Sequence, residues 1–285
     1  MNAIARLIAA AVLLAATACP AAERIKIAVL PPTGAVKKVA EVNTGEFVQQ
    51  TMIDGMSKIE RFDQLSVGDV QRLMEDNLVA EDDLKIEKAA PVAKKLGVRL
   101  LLFTTILKAD IETETEDKVL IKTTVAVATG SLEGTLFDAA TGETTKIGPY
   151  EEEERYSGSE GGTGRFALTI QKQEQILKAA LESSAKKIRA RIYKLYPLAG
   201  VIKASDGKTF TLDIGTKMGV AVGQKYSVFG MVEKDNPMTG LKETMRAEVS
   251  LIEVTEVAED TATCKAVKGD ANPLIGSAVE RSLRE

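Results

Sequence analysis

The sequence predicts an α+β fold, a mixed β-sheet flanked by helices followed by a small antiparallel β-barrel. Two observations carry this. Residues 24–195 mix β-branched runs with stretches of helical period in the order β-α-β-α-α-β-β-β-β-α. Beyond Pro197 the pattern changes to six short strand-like runs separated by Gly, Pro and Asp turns. The expected organisation is therefore a leader at 1–18, an α/β domain at 24–195 and a barrel domain at 197–285.

The first domain opens with Arg24–Leu30 (RIKIAVL), which alternates like a strand and stops at Pro31-Pro32-Thr33-Gly34. Residues 44–59 have the spacing of a helix, with Thr44 as N-cap and Phe47, Val48, Thr51, Met52, Gly55, Met56 and Ile59 on one side. Phe62–Val67 reads as a short strand and Asp69–Leu78 as a second helix. Pro91–Leu96 is the core of a third helix, with Pro91 in its first turn and Gly97 closing it. Val98–Leu107 (VRLLLFTTIL) is apolar enough for a central strand. Further strand is predicted at 118–128 and 132–138, then a hairpin connection at Asp138–Glu143 (DAATGE). Residues 166–195 form the last and longest helix, with an apolar stripe through Ile170, Leu177, Leu181, Ser184, Ile188, Ile192 and Leu195.

In the second domain, Gly200–Ala204 and Lys208–Ile214 flank Ser205-Asp206-Gly207, a strong hairpin signal. Strands follow at Lys225–Val232, Ala247–Val257, Asp260–Val267 and Ser277–Leu283, with a turn at Pro237–Gly240.

The first residues read as an address. Arg6 precedes an apolar or small-residue run, 7–18, that is too short to span a bilayer, which needs ~20 residues. Ala16-Thr17-Ala18 fits the small-residue cleavage rule, which places the cut after Ala18. The stretch Ala16-Thr17-Ala18-Cys19 resembles a bacterial lipobox, in which Cys19 becomes the lipidated first residue. It departs from the usual box in carrying Ala16 where Leu is common. Plain cleavage with Cys19 incidental is the alternative.

Composition removes several kinds of chemistry. The chain has 45% hydrophobic and 27% charged residues, so it can bury a core. Aromatics are only 4% and Trp is absent, which leaves the core to Val, Ile, Leu, Ala and Met. Histidine is absent, which excludes Ser-His-Asp and Cys-His catalysis and His-ligated metal. The two cysteines, Cys19 and Cys264, make no disulfide framework, and Cys264 reads as a buried, inert thiol. Net charge is −4, without the dense basic block of a nucleic-acid binder. The crowd of Lys186, Lys187, Arg189, Arg191 and Lys194 falls at the end of the long helix, where cations suit the macrodipole. The barrel region carries Phe210, Tyr226 and Phe229, too few aromatics for a base-stacking platform.

Two segments invite a site. Glu151–Glu154 reads as a solvated acidic run, and the following SGSEGGTGR (157–165) as a mobile surface loop before the long helix. The glycines lack the Lys-Ser/Thr of a phosphate loop, and the glutamates lack the alternating spacing of a calcium loop. What remains is a candidate partner contact. No catalytic, cofactor, metal or small-molecule site is expected.

Three stretches carry a family resemblance: IAVLP at the start, MSKIERFDQLSVGDVQRLMEDN (56–77), and VAKKLGVRLLLFTTI (92–106). In order and spacing they resemble the CsgG-type curli-secretion lipoprotein family, whose fold recurs in LpoB, the TolB N-terminal domain and the FlgT middle domain. LDIGTKMGVAVGQKYSVF (212–229) resembles the SH3-like barrel of FlgT. The resemblance implies a non-enzymatic envelope protein, periplasmic and anchored at the outer membrane, that binds envelope proteins or assembles with itself into rings. It leaves open a pore subunit, for which residues 103–113 and 119–129 have the length of membrane strands, and a flagellar-motor ring scaffold.

Overall fold

The computed structural model describes residues 24–80, 83–118, 121–159, 169–235, 242–269 and 275–282. The chain divides into two compact units, Ile25–Tyr196 and one beginning at Pro197. Ala18 and Cys19, with the whole leader, lie outside the described residues, as do the turn at Pro237–Gly240 and positions 160–165 of the glycine-rich segment.

The first unit is built on a sheet of order β5-β1-β6-β7-β8, with β2 (Thr33–Gly34) also paired to β6. Strand β1 (Ile25–Val29) runs parallel to β5 (Phe62–Gln64) and to β6 (Leu100–Lys118). Antiparallel β7 (Ile121–Asp138) and β8 (Glu143–Ser159) complete it. The two-residue side-chain period of β1 sends Ile25, Ile27 and Val29 to one core and Ala28, with the following Leu30, to another. Helices α1 (Thr44–Ser57) and α4 (Ile170–Leu195) supply the first core, through Val48, Met52, Met56, Leu181 and Ile188. Helices α2 (Val67–Asp76) and α3 (Ala89–Leu96) supply the second, through Val70, Val92 and Leu96.

Local chemistry sets the helix ends. Asn43 caps α1, its side chain accepting from Glu46 N–H at 3.4 Å. Thr44, expected as that cap, is instead buried one residue on; its hydroxyl accepts from the Lys37 N–H and donates to the Lys37 carbonyl. Ser66 accepts from Asp69 N–H at 3.1 Å, so α2 starts before the expected Asp69 and the strand ahead of it ends at Gln64. Gly97 closes α3 in the left-handed region, at φ 64°, as expected.

A hairpin absent from the sequence reading joins β3 (Lys38–Val39) to β4 (Val42–Asn43). Its turn residues, Ala40 and Glu41, both have positive φ, 46° and 67°. Two-residue hairpin turns require this, and Asn-Gly meets the requirement without steric cost. Replacing Ala40-Glu41 by Asn-Gly is therefore expected to raise stability by about 1–2 kcal/mol, read as a higher urea midpoint with an unchanged slope.

The second unit is a closed barrel, β10-β13-β12-β11-β14-β9, antiparallel throughout. Its strands are β9 (Ala199–Ser205), β10 (Thr209–Leu212), β11 (Lys225–Asp235), β12 (Lys242–Val257), β13 (Ala262–Gly269) and β14 (Ala278–Arg281). Asp206 organises the β9–β10 turn, accepting from the N–H groups of Lys208 and Thr209. Phe210, Tyr226, Ile252, Val254 and Cys264 fill the interior. Tyr226 stays satisfied there by donating to Gln224 Oε1 at 2.9 Å. Cys264 is a buried thiol, pushed up to about 12 by burial, so it is protonated and inert. No helix among the described residues is long and apolar enough to cross a membrane.

Candidate interaction surface

Strands β6, β7 and β8 are 19, 18 and 17 residues long, about three times the usual length. Over their described residues from Leu100 on, the expected strands 98–107, 118–128 and 132–138 fall within β6 and β7, which are interrupted by bulges. In β6 the register slips between Ile106 and Lys108, leaving Leu107 unpaired and 47% exposed. The slip changes which residues face α4. Before it these are Leu100, Leu102 and Ile106; after it they are Ala109 and Ile111. Opposite, the β7–β8 register slips between Leu132 and Gly134, and the inward residues of β8 change from Ile147 to Tyr150. The strands beyond this level form a three-stranded blade.

One face of the blade is sealed by α4. Thr169 caps that helix, its side chain accepting from Lys172 N–H at 3.3 Å. Gly130 lets the helix backbone lie directly on β7: a Cβ there would stand 2.8 Å from Ala180 C and Leu181 N. Ser184 Oγ donates to the Gly130 carbonyl at 2.7 Å, and Ala109, Ala126 and Ala128 keep the layer thin. Lys187 pairs with Glu152, and Lys172 lies over the Tyr156 ring at 4.5 Å.

The opposite face has a different character. Helices α2 and α3 pack below it, around Leu101, Phe103 and Phe137. Above them the registers set Lys108, Ser131 and Glu151 in one row, Asp110, Thr129 and Glu153 in the next, and Glu112, Val127 and Arg155 in a third. The central Val127, Thr129 and Ser131 are buried between longer charged neighbours. Asp110 pairs with Lys37, Glu112 with Lys108 at 3.5 Å, and Glu153 with Arg155 at 3.1 Å. Glu151–Glu154, expected as a solvated acidic run, lie in the edge strand. Glu151 and Glu153 stand on the open face; Glu152 and Glu154 stand on the α4 side.

The basic crowd on α4 is dispersed. Lys187 serves the blade. Arg189 is turned against α1, donating to the Thr51 carbonyl at 3.0 Å beside Gly55, with its pKa lowered by burial. Lys186, Arg191 and Lys194 are exposed. A groove of about 570 Å³ at the start of α1 is lined by Glu41, Val42, Glu46, Phe47, Gln71 and Lys178, two acids and one cation on an otherwise mixed wall. Among the described residues no group of His, Cys, Asp or Glu is placed to hold a metal.

Sequence reasoning missed one polar cluster. Asp138, 4% exposed at the end of β7, accepts from Arg99 Nε and Nη2, the Ala140 N–H and the Tyr196 hydroxyl. Burial pushes its pKa up, but the hydrogen bonds from Arg99, Ala140 and Tyr196 outweigh that and hold it below the usual carboxylate range. With its acceptors so occupied, it joins strand, hairpin and helix end. The only signal in the sequence was the position of Asp138 at the head of the DAATGE turn.

No protein-family model matches the chain. No curated protein matches it either. Its fold is similar to that of solved bacterial proteins, lipoproteins among them. The hypothetical protein CT253 of Chlamydia trachomatis is 17% identical, with 59% of this chain and 95% of that one covered at a TM-score of 0.31. Lipoprotein GNA1162 of Neisseria meningitidis is 15% identical, with 57% and 99% covered at 0.31. The C-terminal domain of LpoB from Salmonella enterica is 13% identical, with 51% and 91% covered at 0.30. The kinship with the curli-secretion family and with the FlgT barrel stays a resemblance of sequence.

Proposed function

We propose that the chain is a non-catalytic envelope lipoprotein, anchored at the outer membrane through Cys19 and facing the periplasm, that binds a protein partner through the β6–β8 blade in assembly or secretion. The observation that carries this reading is the blade itself. Three strands outrun the helices that cover one of their faces, and they end in two open edges of a kind that proteins ordinarily keep short or covered. The leader and lipobox-like sequence supply the address, and the resemblance to curli-secretion lipoproteins supports the process.

A pore subunit is the second reading, favoured by the long β6–β7 hairpin. Against it, over residues 109–112 one side is packed under α4 and the other carries Asp110 and Glu112, which suits neither lipid contact nor an aromatic girdle.

The test is a photo-crosslinking residue placed in cells at Glu112 or Glu153, with Lys186 as control, together with the mass of the mature N-terminal peptide. The expected result is a discrete adduct from the two blade positions alone, in the membrane fraction, on a chain that starts at an acylated Cys19. An unmodified start in the soluble fraction, or adducts from Lys186 only, would overturn the reading.

A further inference from the structure

We infer that the free edge of β8 is a strand-addition site for an extended partner segment carrying Lys or Arg at alternate positions, and that it turns away a second copy of this chain. The inference rests on the envelope-binding reading and names the partner chemistry.

Among the described residues β8 is hydrogen-bonded to β7 alone, so alternate N–H and C=O groups point outward along its length. Such an edge is a template for another strand. Side chains decide which strand. An added strand places its residues about 5 Å from their opposite numbers, where unlike charges attract and like charges repel. On the open face it meets Glu151, Glu153 and then Arg155; on the α4 side it meets Glu152, Glu154 and then Tyr156. Glu152 already has Lys187 and Glu153 has Arg155, whereas Glu151 and Glu154 have no ion-pair partner among the described residues. An added basic strand therefore finds these two unpaired glutamates, one on each face of this edge.

Self-assembly meets the opposite balance. Above Ile106 the other open edge belongs to β6, and its open-face row holds Lys108, Asp110 and Glu112, the two acids already paired with Lys37 and Lys108. A head-to-tail ring closed by joining β6 of one copy to β8 of the next would bring Glu151 and Glu153 to an edge whose cations, Lys37 and Lys108, are already engaged by Asp110 and Glu112. Antiparallel pairing of β8 with β8, centred between Glu152 and Glu153 so that the four glutamates overlap, would set glutamate against glutamate. Both arrangements are disfavoured where a basic strand is favoured.

The test uses the whole mature chain and labelled synthetic peptides of about ten residues, a common strand length. One peptide alternates lysine and threonine, one alternates glutamate and threonine, and a third is the lysine peptide N-methylated along one backbone edge. At low salt only the first is expected to bind and to slow amide exchange over residues 150–157, with methylation costing about tenfold in affinity. Glu151→Lys with Glu153→Lys should transfer the preference to the glutamate peptide with the same exchange footprint. Glu151→Gln with Glu153→Gln should weaken lysine binding without that transfer. Equal binding of the methylated and unmethylated peptides, unchanged exchange in β8, or chains that associate with each other through β8 would overturn the proposal. If the crosslinked partner in cells survives the double lysine substitution, the β8 site fails while the envelope reading stands. If no blade position crosslinks at all, the reading beneath it fails first.

Discussion

Replacing Gly130 with alanine is expected to destabilise the first unit by about 2–4 kcal/mol, the sum of overpacking and a damaged buried hydrogen bond. The added methyl would stand 2.8 Å from Ala180 C and Leu181 N and 3.0 Å from Leu181 Cα. These are backbone atoms of a helix and cannot rotate aside, so α4 must lift from the sheet. Lifting it stretches the Ser184 bond to the Gly130 carbonyl and opens the alanine layer beneath. At about 2–4 °C per kcal/mol for a unit of this size, the melting temperature should fall by roughly 4–16 °C. Amide exchange should rise first in β7 and α4. Gly68→Ala is the matched control. Gly68 is exposed in α2 and a Cβ there meets nothing within 4 Å, so alanine should stabilise by about 0.5–1 kcal/mol through helix propensity. Equal effects from both substitutions would show that Gly130 is not the close-contact point.

The contrast between these glycines marks how far the sequence could be read. Periodicity found β1 and most of α1, α3, α4 and the barrel strands, because in each the local pattern and the final burial agree. Gly97 and the Ser205-Asp206-Gly207 turn were legible for the same reason. The blade was not, for three physical reasons. Bulges at Leu107 and near Pro149 reverse the inward parity partway along β6 and β8, so no single alternation runs their length. Four consecutive glutamates have poor strand propensity, and their conformation is imposed by pairing with β7. Ala40-Glu41 turns a hairpin without the residues that announce one. The candidate surface was half legible: Glu151–Glu154 stood out as an acidic run, but only the registers show that they line a sheet edge. The chemistry of the Asp138 cluster was hidden because Arg99 and Tyr196 are distant in sequence, 39 and 58 positions away.

That cluster gives the other large effect. Asp138→Ala is expected to destabilise by about 2–4 kcal/mol, below the usual range for a broken buried pair because Arg99 is partly exposed and can rehydrate. The loss falls on the Ala140 N–H and the Tyr196 hydroxyl, which together lose their acceptor. Tyr196 also packs edge-on against Phe62, with ring centroids 6.5 Å apart, so the network ties the helix end to the β5 edge of the sheet. The pH dependence has a definite sign. The Asp138 carboxyl titrates lower in the folded chain than in the unfolded one, near 3.9. Its contribution is therefore whole above about pH 4 and is lost as pH falls through the lower folded value. The stability gap between the parent and Asp138→Asn should shrink below that point in urea titrations. Tyr196 works at the other end. Burial first, then its bond to Asp138, pushes its pKa up to about 12. The unfolded phenol ionises near 10, so its contribution is whole below about pH 10 and is lost as pH rises toward the folded value. Tyr196→Phe should lower neutral stability by about 0.5–1.5 kcal/mol, one hydrogen bond, and flatten this alkaline limb. A parent and an Asp138→Asn variant that lose stability in parallel below pH 4 would show that acid unfolding is governed elsewhere, and that Asp138 does not carry the junction.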